Sequence, residues 1–179
     1  MSGHLYFAYG SNMLTARLQR RCPGARVIGP GFVTAMEIAF SKTGTDGSGK
    51  ATLAHPDDNQ GLLTSIVHGV VYDIADDEWP DLDFFEGLGK GYDRLDDFPV
   101  TLAGNSKMTS TRTYIAGSGF VSDTLLPYDW YHALVLAGAR EHNLPEDYIE
   151  KLAQFSARPD PEAARPTHRE ALEILNAIA

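Results

Sequence analysis

The sequence predicts a mixed α+β fold, a curved, barrel-like β-sheet with helices around its outside. Two observations predict it. Runs rich in β-branched and aromatic residues, each ended by glycine, proline or polar turns, occupy the first two-thirds of the chain, and apolar residues at helical spacing take over after Pro127. No internal repeat divides the sequence, and 179 residues with 43% hydrophobic and 22% charged content suit a single domain, residues 1–179, whose core can stand alone.

His4 to Tyr9 is an aromatic-rich run that stops at Gly10, the pattern of a buried strand entering a turn. Asn12 has the chemistry of a helix cap, and Leu14, Arg17, Leu18 and Arg21 then give an apolar and a basic face until Pro23-Gly24 ends the helix. Phe32 to Phe40 is densely apolar, and Gly44 to Lys50, with no apolar side chain, reads as a flexible surface loop between strands. Ile66 to Ile74 is the next strand. Asp76 or Asp77 opens an acidic helix carrying Trp79, Leu82 and Phe85 at helical spacing, with Glu86 at its C-terminal end. Gly87 to Gly91 breaks that helix, and Tyr92–Leu102 and Met108–Ile115 form a hairpin across Ala103-Gly104-Asn105-Ser106. Tyr131, Leu134, Val135 and Leu136 build a helix, and Asn143-Leu144-Pro145-Glu146 starts another. Residues 156–166, with prolines at 159, 161 and 166, read as a linker; Thr167 and Glu170 read as a capping box for a last amphipathic helix over 167–178.

The formal charge of −9, from 24 acidic and 15 basic residues, opposes binding to nucleic acid or to an anionic membrane and leaves a small molecule as the partner. The single cysteine, Cys22, cannot form an internal disulfide, which fits a cytoplasmic setting. The opening residues lack the basic and apolar segments of a signal peptide, and no apolar run reaches the roughly 18 residues of a spanning helix. Six scattered histidines without a cysteine or acidic partner at ligand spacing predict neither a metal site nor a metal cofactor.

Two places could carry chemistry. After Tyr9, Gly10 permits a tight turn, and the helix start beyond it offers free N–H groups to a carboxylate or oxyanion, although Tyr6 and Tyr9 also suit an ordinary core beside an ordinary turn. Glu86 follows Phe84-Phe85 and precedes glycine, an apolar setting that suits a carboxyl group to proton transfer; on so acidic a helix it also reads as one more solvated carboxylate. Gly44 to Lys50 matches most of a phosphate-binding P-loop, but residue 51 is alanine and the segment beyond is extended and stopped by Pro56, which excludes that motif. Cys22, beside Pro23 with no partnering histidine, reads as a bystander.

Tyr6-Phe7-Ala8-Tyr9-Gly10-Ser11-Asn12-Met13-Leu14 resembles the N-terminal signature of the γ-glutamylcyclotransferase family, which includes AIG2-like proteins. Gly69-Val70-Val71-Tyr72, Phe85-Glu86-Gly87, Arg112-Thr113-Tyr114, Pro127 to Ala139 and Leu144 to Tyr148 resemble further family segments in the same order. The resemblance implies the γ-glutamylcyclotransferase-like fold and a cofactor-free reaction in which the α-amino group of a γ-glutamyl compound attacks its own γ-carbonyl. The products are 5-oxoproline and a free amine. It makes Glu86 the catalytic acid and base, and Tyr6, Phe7, Ala8, Tyr9, Gly10, Ser11, Asn12, Tyr92 and Tyr114 the substrate-binding residues; the loop between Glu86 and Tyr92 departs from the family pattern. It is compatible with a homodimer. Removal of a γ-glutamyl group within a biosynthetic pathway, or a non-catalytic module for a small acidic ligand, would use the same residues.

Overall fold

The computed structural model describes residues 3–56 and 64–178; Met1 and Ser2, where the reading of the chain's start begins, lie outside them. Seven strands are formed: β1 (Gly3–Ala8), β2 (Arg26–Thr34), β3 (Glu37–Thr43), β4 (Gly49–Ala54), β5 (Ile66–Ala75), β6 (Tyr92–Leu102) and β7 (Met108–Ala116). Among the described residues the helices are α1 (Thr15–Gln19), α2 (Trp79–Glu86), α3 (Asp129–Glu141), α4 (Glu146–Ala153) and α5 (Pro166–Ile178), with short 3₁₀ turns at Ser11–Met13, Asp76–Glu78 and Ser118–Phe120. This is the mixed α+β, barrel-like architecture that the residue patterns predict.

Five strands close in the order β1-β5-β2-β6-β7, while β3 and β4 form a separate hairpin. The antiparallel β1–β5 ladder pairs Tyr6 with Tyr72 and Ala8 with Val70. Closure depends on two short seams, Gly31 and Phe32 of β2 against Leu102 and Thr101 of β6, and a parallel meeting of β1 and β7 at Tyr6 and Arg112. Because strand side chains alternate between faces, Phe7 stacks on Phe98 with ring centroids 6.2 Å apart, whereas its neighbour Tyr6 packs edge-on to Tyr114. The core joins the barrel to Leu134, Val135 and Ala139 of α3 and to Leu152 of α4.

Four local expectations are corrected. Asn12 caps nothing: it lies inside the 3₁₀ turn, the N-cap of α1 is Leu14, and the Asn12 side chain serves a distant residue. Gly44 to Lys50 is not a free surface loop, because Gly49 and Lys50 belong to β4, Ser48 is buried, and Lys50 Nζ binds Asp46 at 2.7 Å beneath the rings of Trp130 and Tyr131. The basic face of α1 points inward at Arg17, which is buried. Thr167 is within α5, which begins at Pro166, and the Arg169 N–H donates to the Arg165 carbonyl; proline at the first helical position, needing no N–H partner, sets this start in place of a capping box.

Candidate active site

Two local devices bring the loop after β1 and the end of α2 together. Gly10 has φ −111° and ψ −144°, so a left-handed backbone is not what requires glycine; a Cβ there would lie 3.0 Å from the Ala51 Cβ and 3.3 Å from the Tyr131 hydroxyl. The close approach of β4 and α3 favours glycine, since a side chain would push these neighbours back by a few tenths of an ångström. At α2 the last turn is closed by bonds from the Gly87 N–H to the Phe84 carbonyl (3.1 Å) and from the Leu88 N–H to the Asp83 carbonyl (2.9 Å), with Gly87 left-handed at φ 66°. Glu86 is therefore the last residue before a rigid C-terminal cap.

Glu86 faces the loop. Asn12 Nδ2 donates to its Oε1 at 2.8 Å, and Arg21 Nη1 of the turn after α1 donates to the same oxygen at 2.8 Å. Its side chain is only 13% exposed, so the solvated alternative fails, and it is ion-paired rather than apart from other charges as its apolar neighbours in sequence suggest. Both bonds fall on Oε1, which leaves Oε2 to meet a substrate. Asn12 Nδ2 also donates to the Tyr6 hydroxyl at 3.1 Å, and Asn12 Oδ1 is buried without a partner. An unpartnered buried acceptor beside a carboxylate is a place for an N–H donor from a ligand.

Around this pair is a recess of about 30 Å³, lined by Tyr6, Tyr9, Gly10, Ser11, Asn12, Ala51, Glu86, Tyr92, Tyr114 and Tyr131. It has room for little more than one or two small groups. Three of the five phenols donate to protein acceptors: Tyr9 to the Tyr114 carbonyl, Tyr92 to the Ala51 carbonyl at 2.6 Å, and Tyr114 to Asp83 Oδ1 at 2.6 Å. Tyr6 accepts from Asn12 and Tyr131 accepts from the Ala51 N–H at 3.1 Å, so these two keep a proton to donate. Burial pushes all five phenols above their ordinary range, and nearby negative charge, from Glu86 at Tyr6 and Tyr9 and from Asp83 at Tyr114, adds to it. They remain neutral donors at physiological pH.

The recess opens into a cleft of about 550 Å³ whose wall includes Arg17, Arg21, Lys42, Asp46, Lys50, Glu86, Lys90 and Arg165, with Phe84 and Phe85 at its rim. Arg17 Nε donates to Ser11 Oγ at 3.0 Å, fixing the loop from beneath. Of the residues expected from sequence, Tyr6, Tyr9, Gly10, Ser11, Asn12, Glu86, Tyr92 and Tyr114 line the recess; Phe7 and Ala8 are buried away from it. Cys22 is buried, and burial, with Glu78 next in effect, pushes its thiol up to about 12, too high for a nucleophile.

A model of the AIG2-like family matches residues 66–152, a span holding Glu86, Tyr92, Tyr114 and Tyr131. Human γ-glutamylcyclotransferase is 29% identical over 154 residues, covering 83% of this chain and 76% of the relative, and the mouse protein is 28% identical over 153 residues with the same shares. A solved structure of γ-glutamyl cyclotransferase superposes with a TM-score of 0.81 at 25% identity, over 96% of this chain and 99% of that one. The chain has the γ-glutamylcyclotransferase fold and is similar to the AIG2-like family over residues 66–152. The sequence misses Arg17, Arg21, Lys42 and Tyr131 as residues of the site. The helical spacing of Arg17 and Arg21, four residues apart and aligned on one face, is the signal that could find the two arginines. Tyr131 has no sequence mark separating it from the core aromatics of α3. Among the described residues no helix is long and apolar enough to cross a membrane, and no group of three or more His, Cys, Asp or Glu is arranged to hold a metal ion.

Proposed function

We propose that the protein is a γ-glutamylcyclotransferase-type enzyme that cyclises the γ-glutamyl group of a small conjugate to 5-oxoproline and releases the amine. The observation carrying this reading is the contact of Asn12 with Glu86 at 2.8 Å, because it joins the loop and the helix end, far apart in sequence, into one proton-handling unit with a free buried acceptor beside it. The substrate's α-ammonium sits against Asn12 Oδ1 and Glu86 Oε2. Glu86 accepts a proton from it, the freed amine attacks the γ-carbonyl carbon, and a C–N bond forms to give a tetrahedral oxyanion. Tyr6 and Tyr131, whose hydroxyl protons are not engaged by the protein, are the side-chain donors available to that oxyanion. Collapse breaks the bond to the leaving nitrogen, which takes the first proton from Glu86; the regenerated carboxylate then takes the second proton from the ring nitrogen and passes it to the released amine. Protons leave one substrate nitrogen and arrive at the other, so water, metal and covalent enzyme intermediates play no part in the balance.

An intramolecular attack needs orientation above all, and effective molarities of oriented groups reach about 10⁵–10⁸ M. Incubation with γ-glutamyl dipeptides, followed by measurement of 5-oxoproline, tests the reading. Glu86→Gln keeps the shape and is expected to lower turnover by about a hundredfold or more; turnover within a few-fold of the parent protein would remove Glu86 from the mechanism.

A further inference from the structure

The recess is too small for a whole γ-glutamyl conjugate, so the substituent on the leaving nitrogen must lie in the outer cleft. That cleft is built against the charge of the chain. Six basic side chains and two carboxylates line it in a protein whose formal charge is −9. Both carboxylates are already paired, Glu86 with Arg21 at 2.8 Å and Asp46 with Lys50 at 2.7 Å. Lys42 is buried, its ammonium lies 4.7 Å from the centre of the Tyr92 ring, and its charged neighbours are these same two engaged carboxylates. Arg17 is only 4% exposed, and its Nη1 has no hydrogen-bond partner although Nε is held by Ser11. Glu170 and Glu86 act on Arg17 from a distance, but among the described residues neither Arg17 nor Lys42 is held in a salt bridge, and two buried cations in one cleft without a contacting carboxylate amount to a desolvation deficit that an anionic ligand would relieve.

We propose that this cleft is an anion subsite which selects the leaving group: the preferred γ-glutamyl conjugate releases an amine carrying more than one negative charge, an acidic amino acid or an amine of the same charge. This rests on the cyclotransferase reading above. Arg17, joined to the loop through Ser11, takes the carboxylate nearer the glutamyl unit. Lys42, over the ring of Tyr92, takes the anion on the leaving group, and Tyr92 thereby acts through its ring face while its hydroxyl stays on Ala51. A charge-assisted hydrogen bond contributes about 1.5–3 kcal/mol, so removing one negative charge from the leaving group should lower kcat/KM by about tenfold or more.

The test compares γ-glutamyl-glutamate with γ-glutamyl-glutamine, which match in shape and differ by one charge, and with γ-glutamyl-propylamine, which has no anion on the leaving group. The expected order of kcat/KM is glutamate, then glutamine about tenfold lower, then propylamine lowest. In Lys42→Met the glutamate-to-glutamine ratio should collapse toward one, and Lys42→Arg should retain it. Equal kcat/KM for the first two substrates, or an unchanged ratio in Lys42→Met, overturns the inference. Calorimetric titration of Glu86→Gln with the two dipeptides separates this result from failure of the cyclotransferase reading. If the parent protein forms no 5-oxoproline from any of the three, that reading fails, and binding then decides the subsite alone: tenfold tighter binding of the glutamate dipeptide upholds it, equal binding overturns it.

Discussion

Replacing Gly138 by alanine sets two effects against each other, and the structure decides the sign. In the interior of a helix such as α3 the change normally stabilises by about 0.5–1 kcal/mol, because alanine has less backbone entropy to lose. Here an added Cβ would stand 2.5 Å from the Leu14 nitrogen and 2.7 Å from the Met13 carbonyl carbon and Cβ. Ordinary contact begins near 3.4 Å, and backbone atoms cannot rotate aside, so α3 and the loop must separate. Overpacking of this kind costs about 3 kcal/mol at the upper end of its usual range, which leaves a net destabilisation of about 2 kcal/mol after the helix gain. For a chain of this size that lowers Tm by about 4–8 °C. Met13 follows Asn12 directly, so the same displacement moves the amide off Glu86, and turnover should fall by about a hundredfold for a shift near 1 Å. Scanning calorimetry and 5-oxoproline production measure the two. A Gly138→Ala protein as stable as its parent, or more so, would show that helix propensity outweighs the contact and refute the packing argument.

Tyr72→Phe removes the hydroxyl that donates to the Met13 carbonyl at 2.6 Å from inside the core, and loss of that bond, with His142 still beside the carbonyl, should lower stability by about 0.5–1.5 kcal/mol in urea unfolding; an unchanged urea midpoint would show that the loop is held by other means. Asp160 resists the upward push of burial because Arg165, the Glu162 N–H and Trp130 Nε1 all donate to it, and its carboxyl is lowered from 3.8 to about 2. A lowered folded-state value means stability that is present above the unfolded value and lost as pH falls through the folded one. The Tm gap between the parent and Asp160→Asn should therefore be full at neutral pH and shrink between about pH 4 and pH 2; a gap that stays constant over that window would contradict the assignment.

β1, β5, the hairpin of β6 and β7 and the position of Glu86 were readable because each is written locally: aromatic and β-branched runs, glycine at a turn, and a helix end whose cap needs glycine at 87; the start of β2 at Arg26 and its break from β3 inside the apolar run Phe32 to Phe40 were not. What escaped is long-range. Asn12 carries the chemistry of a helix cap, and nothing within a few residues reveals that its amide is taken by a glutamate 74 positions away. Gly44 to Lys50 has a loop's composition, yet Lys50 is drawn inward by Asp46 and by Trp130 and Tyr131 of a helix formed from a much later part of the chain. The inward turn of Arg17 is hidden for the same reason, since a basic face on a short helix looks solvent-facing until Ser11 of the preceding turn is seen to bind it. Tyr92 and Tyr114 were legible as residues of the site, but not the direction of their hydroxyls, which depends on the Ala51 and Asp83 acceptors.

These long-range contacts also bear on how an acidic chain would attract the anionic substrate proposed above. The average field of a protein with a formal charge of −9 repels such a ligand. Within the cleft, however, the carboxylates are each paired with an arginine or lysine at 2.7–2.8 Å, while among the described residues Lys42 has no salt bridge and Arg17 Nη1 no hydrogen-bond partner, with Glu170 and Glu86 acting on Arg17 only from a distance. Burial strengthens their local field, because less water screens it, and pulls Lys42 below and Arg17 down to about 10 from their ordinary values; Arg17 remains charged at neutral pH. On the proposed reading, proton transfer falls to one tethered carboxyl group and recognition to cations that carry no salt bridge. Added salt screens the exposed acidic surface more than this interior. A charge preference arising in the cleft should accordingly survive moderate ionic strength, whereas one arising from the surface would fade with it.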